Sequence, residues 1–306
     1  MFQTISSPFA SSSVIGAGQA VEDGTLGNQE QEPPARLIAN QRFSSSRLVT
    51  MTCRTARTVA VLADIHANLP ALDAVLAEVE TAGADTVVLL GDIALGPMPA
   101  QTVERLAALG DRAVWVHGNC EREMTTAFDG GQIPGPNGPA AAAAAALIGQ
   151  AERDRLDQLP LTVSIDIDGL GPTLFCHASP RRDDEMVLVD SPPERWATVL
   201  TGVTEATVVL GHTHMHFDRL AGGHRVLNAG SVGMAYGEPG AAWALLGPEV
   251  TLRNTRYDTA EAARLIRTSG YPDAAAWAAE YVLQHYADTE ALEAFTQIAR
   301  DQAADP

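Results

Sequence analysis

The stretch Thr58-Val59-Ala60-Val61-Leu62-Ala63-Asp64-Ile65-His66-Ala67-Asn68 decides how this chain is read. Its first half is a continuous apolar run, the pattern of a strand buried on both faces. It ends in two strong metal-binding side chains one residue apart, Asp64 and His66. Successive strand side chains alternate, so both are expected to project the same way at the carboxyl end. Ligands of open α/β sheets bind at that edge. A single ending of this kind is also what a chance core histidine produces, so the other strands must decide.

Downstream of this strand the chain alternates in a regular way. A helix is expected over 70–82, with Leu72, Val75, Leu76 and Val79 on one face and Gly83 as its stop. Strand 86–90, helix 100–109 and strand 112–116 follow, which implies a parallel sheet with right-handed crossovers. Residues 128–139 are rich in Gly and Pro and read as a loop. The alanine run from Ala140, led by Pro139, reads as a helix whose apolar stripe continues through Leu147, Ile148 and Leu156. Leu161, Val163, Ile165 and Ile167 then alternate with polar residues and turn into strand 173–176, a hairpin. After a charged loop over 181–190, further strands are expected at 207–210, 224–227, 242–246 and 250–257. A short helix over 193–200 precedes them. Beyond Asp258, which has the spacing of a capping box with Glu261, the chain turns helical. Three segments result. Residues 1–54, rich in Ser, Gly and Gln, read as a disordered leader with Met51 as a candidate initiator. Residues 55–258 form the folded α/β domain, and 259–306 a C-terminal helical extension.

The bulk composition narrows the function classes. In 306 residues, 46% hydrophobic, no apolar run approaches the ~20 residues of a membrane span. The formal charge is −18 and all twenty basic residues are arginine. That balance argues against nucleic acid as a partner, because such binding relies on basic residues that release counterions. Three cysteines, an odd number in a long chain, make no disulfide framework. With no secretory signal in residues 1–20, a cytoplasmic location is expected.

Five strand endings carry the chemistry. They deliver Asp64 and His66, Asp92, Asn119, His177, and His212 with His214, all expected at one edge of one sheet. Glycine precedes Asp92, Asn119 and His212, where a backbone must turn close to a site. Seven donors exceed the three or four ligands of a single zinc site, and with one carboxylate shared they divide into two. Mixed carboxylate, amide and imidazole donors suit Mn²⁺, Fe, Zn²⁺, Co²⁺ or Ni²⁺ better than Ca²⁺ or Mg²⁺. A metal pair ~3.5–4 Å apart is an arrangement that hydrolyses phosphate esters.

Asp64-x-His66, Gly91-Asp92, Gly118-Asn119, His177 and Gly211-His212-Thr213-His214, in that order, resemble the signature of the calcineurin-like metallophosphoesterases. The segments 64–68, 119–121 and 228–233 are most similar to the YfcE-like phosphodiesterase branch. The resemblance spans about residues 58–258 and implies a four-layer α-β-β-α sandwich with added C-terminal helices. It also implies two divalent ions, manganese foremost. Asp64, His66 and His214 would bind one, Asn119, His177 and His212 the other, with Asp92 bridging. The implied activity is hydrolysis of small phosphodiesters or phosphomonoesters by a metal-bridging hydroxide attacking phosphorus.

Asp92, Asn119 and Cys120 are the catalytic candidates. Cys120 stands where much of the superfamily has a histidine that protonates the leaving group, although cysteine is usual in the YfcE-like branch. Arg181 is a candidate phosphate clamp, against the alternative of a charged surface loop with Asp183, Asp184 and Glu185. Asn68 either faces the bridging site or closes a turn. A protein phosphatase or dinucleoside polyphosphate hydrolase is the enzymatic alternative. A non-catalytic scaffold on the same fold, as in the retromer subunit, is the alternative of another class. The expected partner is a small phosphate ester, with no nucleic acid and no membrane, and the C-terminal helices would cap the site or make a homo-oligomer contact.

Overall fold

The computed structural model describes residues 54–304. The leader expected over 1–54 and the candidate start at Met51 fall outside the described residues, apart from Arg54. In chain order the first elements are β1 (Arg54–Ala56), β2 (Val59–Leu62), α1 (Leu69–Ala82), β3 (Thr86–Leu90), α2 (Pro99–Ala107) and β4 (Ala113–Val116). Next come α3 (Asn119–Phe128), α4 (Gly138–Ala145), α5 (Gln150–Asp157), β5 (Thr162–Ile167), β6 (Gly171–Cys176), α6 (Pro193–Val199) and β7 (Thr207–Leu210). The chain continues through β8 (His216–Ala221), β9 (His224–Ala229), β10 (Ala241–Leu246) and β11 (Val250–Thr255) into α7 (Thr259–Ile266), α8 (Ala274–Ala278) and α9 (Asp288–Ala304).

These strands build the two sheets that the resemblance implies, so the strand endings expected on one sheet are divided between two. One has the order β11-β10-β2-β3-β4, the other β1-β5-β6-β7-β9-β8. In the first, β2, β3 and β4 run parallel, as the alternation with α1 and α2 requires, while β10 joins β2 antiparallel. The strand period decides how they stack. Val59, Val61, Val88 and Leu90 face the other sheet and meet Ile165, Ile167, Phe175, Val209 and Leu227. Their neighbours Ala60, Leu62, Val87 and Leu89 turn outward under Leu72, Val75, Leu76 and Val79 of α1. On the far side, Leu174, Cys176, Val208 and Leu210 pack against Trp196 and Val199 of α6. Helix, sheet, sheet and helix form the four layers of the expected sandwich.

Several local departures have clear causes. Gly149 interrupts the alanine-led helix; its N–H is taken by Glu152 at 2.9 Å, which starts α5 as a separate helix. Only half of the box at Asp258 forms, since Asp258 accepts the Glu261 N–H at 2.9 Å while the Glu261 carboxylate turns to Arg264. β9 and β10, expected as neighbours in a meander, lie in different sheets. Strands β1 and β8 and helix α3 have no counterpart in the sequence reading. In α9, Leu292, Phe295 and Ile298 pack on Met186, Leu188, Met215 and Tyr236. The Gln302 side chain then clamps that contact, donating to the Asp184 carbonyl and accepting the Met186 N–H, each at 2.8 Å.

Candidate metal centre

Asp64 and His66 do reach one site together, but not by strand alternation. β2 ends at Leu62, and Asp64, His66 and Ala67 take φ of 53°, 47° and 51°. Backbone bonds to the next strand's exit hold this left-handed turn: Asp64 N–H to the Gly91 carbonyl at 3.1 Å, His66 N–H to that of Asp92 at 2.9 Å. Asp92, His212 and His214 are also left-handed, with φ of 51°, 64° and 58°. For residues with a Cβ this costs ~1 kcal/mol or more each, and such strain gathers at functional sites. Gly118 and Gly211 are needed for closeness. A Cβ on Gly118 would lie 2.4 Å from Asp92 Oδ1, and one on Gly211 2.6 Å from Asp64 Oδ2.

Six of the seven expected donors gather in two groups drawn from both sheets. Asp64, His66 and His214 place one ligand atom each within 4.8 Å of one another, and so do Asp92, His177 and His212. Asp92 faces both groups, its Oδ1 being 3.3 Å from His177 Nε2 and its Oδ2 3.9 Å from His66 Nε2. Backbone carbonyls fix three of the rings. His66 Nδ1 donates to Leu95 at 3.2 Å, His177 Nδ1 to Leu90 at 2.8 Å and His214 Nδ1 to Met234 at 3.0 Å. Each Nε2 is thereby turned inward. A third group, His66, Asp92 and Cys120, takes one residue from each of them.

This arrangement fits metal ions. Nε2 of His66 and of His214 face each other at 3.2 Å with both Nδ1 protons already committed, so two lone pairs meet unless something positive lies between them. Asn119 Oδ1 and His212 Nε2 are buried with no hydrogen-bond partner, while Asp64 Oδ1 and His177 Nε2 meet only other candidate ligands, His214 Nε2 at 3.1 Å and Asp92 Oδ1 at 3.3 Å. Buried polar atoms are rarely left without an outside partner, and donors of these types suit a cation. Asp64 and Asp92 are 0% and 3% exposed, and an anionic substrate would be repelled by them unless cations offset their charge.

Protonation follows from the same contacts. Burial resists charge on His177, but Asp92 and Asp64 outweigh it and push the imidazole up to about 10. Burial, and then the charge of His177, press His212 down to about 4, leaving it a neutral donor. Burial, with Asp92 beside it, pushes the Cys120 thiol well above its ordinary value, so it stays protonated.

Asn119, Cys120 and Glu121 form the first turn of α3. The Cys120 N–H donates to Asp92 Oδ1 at 2.9 Å. Glu121 accepts the N–H groups of Gly118, Asp92 and Ile93 at 2.8, 2.9 and 2.8 Å, binding two ligand-bearing turns together. The sequence reading missed this carboxylate, although its place three residues after Gly118 is capping-type spacing. It also missed Tyr236, which stacks on His214 with ring centroids 5.9 Å apart.

Two expected substrate contacts are otherwise engaged. Asn68 is fully buried and caps α1: Oδ1 accepts the Ala71 N–H at 3.3 Å, while Nδ2 donates to the Gly233 carbonyl at 3.0 Å and toward the Tyr257 hydroxyl. It closes the turn. Arg181 is held by both oxygens of Glu185, which Arg195 also meets at 2.9 Å, so the charged-loop alternative describes it. Ser231 is structural, donating to the Asp64 carbonyl at 2.7 Å and accepting the Met234 N–H at 2.8 Å. His117 faces Asp183 at 3.4 Å.

Residues 58–248 match the model of the calcineurin-like phosphoesterase superfamily domain. The chain belongs to that superfamily and is a phosphoester hydrolase. A curated relative, the uncharacterised protein MJ0912 of Methanocaldococcus jannaschii, is 26% identical over 187 residues, covering 57% of this chain and 69% of its own. The fold is similar to that of the hypothetical protein PH1004 from Pyrococcus horikoshii, with TM-score 0.63, 22% identity and coverage of 74% of this chain and 99% of the other. It is also similar to a metallophosphoesterase from Sphaerobacter thermophilus, with TM-score 0.58, 25% identity and coverage of 74% and 100%. Among the described residues no helix is long and apolar enough to cross a membrane.

Proposed function

We propose that this protein hydrolyses small phosphodiesters or phosphomonoesters with two divalent cations. The observation that carries the reading is the pair of donor groups with Asp92 in one and 3.9 Å from His66 of the other. Asp64, His66 and His214 would hold one ion, and Asn119, His177 and His212 the other, with Asp92 serving both. Mixed nitrogen and oxygen donors favour manganese or another first-row transition metal. When bound, such a pair supplies Lewis-acid activation of water at neutral pH and neutralises charge on the phosphate.

The protein's own groups set the geometry. Asp92 fixes the spacing of the two donor groups, because the Cys120 N–H orients its carboxylate from one side. The Asp64 Oδ2 is tied to the His212 backbone at 2.9 Å, coupling the two histidine-bearing loops. Asn119 keeps a buried Oδ1 without a hydrogen-bond partner. In the metal-free protein, burial and the neighbouring Asp92 keep Cys120 a neutral thiol. With Arg181 engaged by Glu185, the attraction for an anionic substrate would come from cations held by the donor centre. The test is a panel of aryl phosphate monoesters and diesters assayed with Mn²⁺-loaded protein and with Asp92→Asn. Hydrolysis that Asp92→Asn abolishes is expected; no turnover of any ester by loaded protein would sink the reading.

A further inference from the structure

We propose that Glu123 is a positioning residue that sets the orientation of the Asn119 amide at the second cation; this rests on the two-cation reading above. An asparagine can present either its oxygen or its NH₂ to a site, and only the oxygen serves a cation. Its neighbours must therefore choose. Asn119 Nδ2 donates to Glu123 Oε1 at 3.3 Å, one helical turn along α3, and lies 3.7 Å from the Cys120 sulfur. Asn119 Oδ1 is buried without a partner. A carboxylate accepts hydrogen bonds only, so reversing the amide would set oxygen against oxygen at Glu123 and point the NH₂ group at the donor cluster. The geometry thus fixes the productive orientation through Glu123, with the Cys120 sulfur as a weaker second acceptor.

Glu123 is itself held in place. Its second oxygen accepts from Asn137 Nδ2 at 3.0 Å, and the residue is 9% exposed. Asn137 immediately precedes α4, at the end of the Gly- and Pro-rich segment whose purpose the sequence left open. A relay runs from that loop through Asn137 and Glu123 to Asn119. Partners of this outer kind typically contribute ~10–100-fold to metal affinity.

The experiment titrates metal-free full-length protein with Mn²⁺ by calorimetry, comparing wild type, Glu123→Gln, Glu123→Met, Asn137→Ala and Asn119→Ala, with a melting curve of each metal-free variant. Glu123→Met removes the acceptor at similar size and is expected to weaken the second ion about 10–100-fold while leaving the first within about twofold. Glu123→Gln keeps an acceptor oxygen and is expected to stay within about fivefold of wild type, with Asn137→Ala intermediate. Adding Glu123→Met to Asn119→Ala should produce no further loss, since the effect acts through Asn119. Unchanged second-ion affinity in Glu123→Met, equal weakening of both ions, or an additive loss in the double variant would overturn the proposal. Wild type binding fewer than two ions would instead overturn the two-cation reading, and this assignment with it.

Discussion

Asp92 Oδ1 lies 3.3 Å from His177 Nε2, joining a carboxylate at the exit of β3 to an imidazole at the exit of β6 in the other sheet. The pair has a measurable consequence in the metal-free protein. His177 ordinarily titrates at 6.5 and is held at about 10 when folded, because Asp92 and Asp64 overcome its burial. Its folded value exceeds its unfolded one, so its contribution to stability is complete below about 6.5 and disappears as pH rises through about 10. Metal-free protein is expected to lose stability across that window, and metal binding at pH 7.5 to release a proton from His177. Calorimetry in buffers of different ionisation enthalpy reads the proton, and an uptake-neutral titration would contradict this protonation state.

Glu121 accepts the N–H groups of Gly118, Asp92 and Ile93 from a fully buried position. Glu121→Ala leaves these donors without an acceptor, at ~1–3 kcal/mol for each one water cannot reach. A loss of about 3 kcal/mol or more in urea denaturation is expected. A loss below about 1 kcal/mol would show that the turns hold without it.

Gly118 has φ −113°, so alanine there meets no backbone penalty; the obstacle is the Asp92 carboxylate 2.4 Å from the new Cβ. Gly118→Ala is expected to retain the fold by circular dichroism and to lose metal affinity by more than the ~10–100-fold that outer partners contribute. Wild-type affinity in this variant would mean that Asp92 is free to move.

Phe295 meets Tyr236 edge-on with ring centroids 5.9 Å apart, and Tyr236 in turn stacks on His214. Phe295→Ala removes that support and part of the apolar contact between α9 and Met186, Leu188 and Met215. Thermal denaturation should register about 1–2 kcal/mol. No change would mean that α9 packs without consequence for the site.

The parallel core, and candidate donors that the fold brings together, were legible because both leave strong local patterns. Apolar runs such as Val87–Leu90 end in side chains that have no ordinary reason to sit there. What stayed hidden depends on pairing across distance. The division into two sheets rests on β10 joining β2, which nothing in either strand announces. β8 is an edge strand whose partly exposed pattern, with Leu220 81% exposed, carries no clean alternation. α3 starts with the buried polar residues Asn119, Cys120 and Glu121, which read as the end of a strand rather than a helical turn. For Asn68 and Arg181 the sequence left a substrate contact and a structural role both open; Gly233, distant in sequence, engages the first and the nearby Glu185 the second.

The most direct test of the two-cation account is metal analysis of purified protein after Mn²⁺ loading, by mass spectrometry of the intact native protein alongside Asp92→Asn. Two ions per chain are expected in wild type, with at least one lost in Asp92→Asn together with ester hydrolysis. Wild type holding a single ion, or Asp92→Asn holding two with unchanged hydrolysis, would contradict the claim that this carboxylate joins two metal sites.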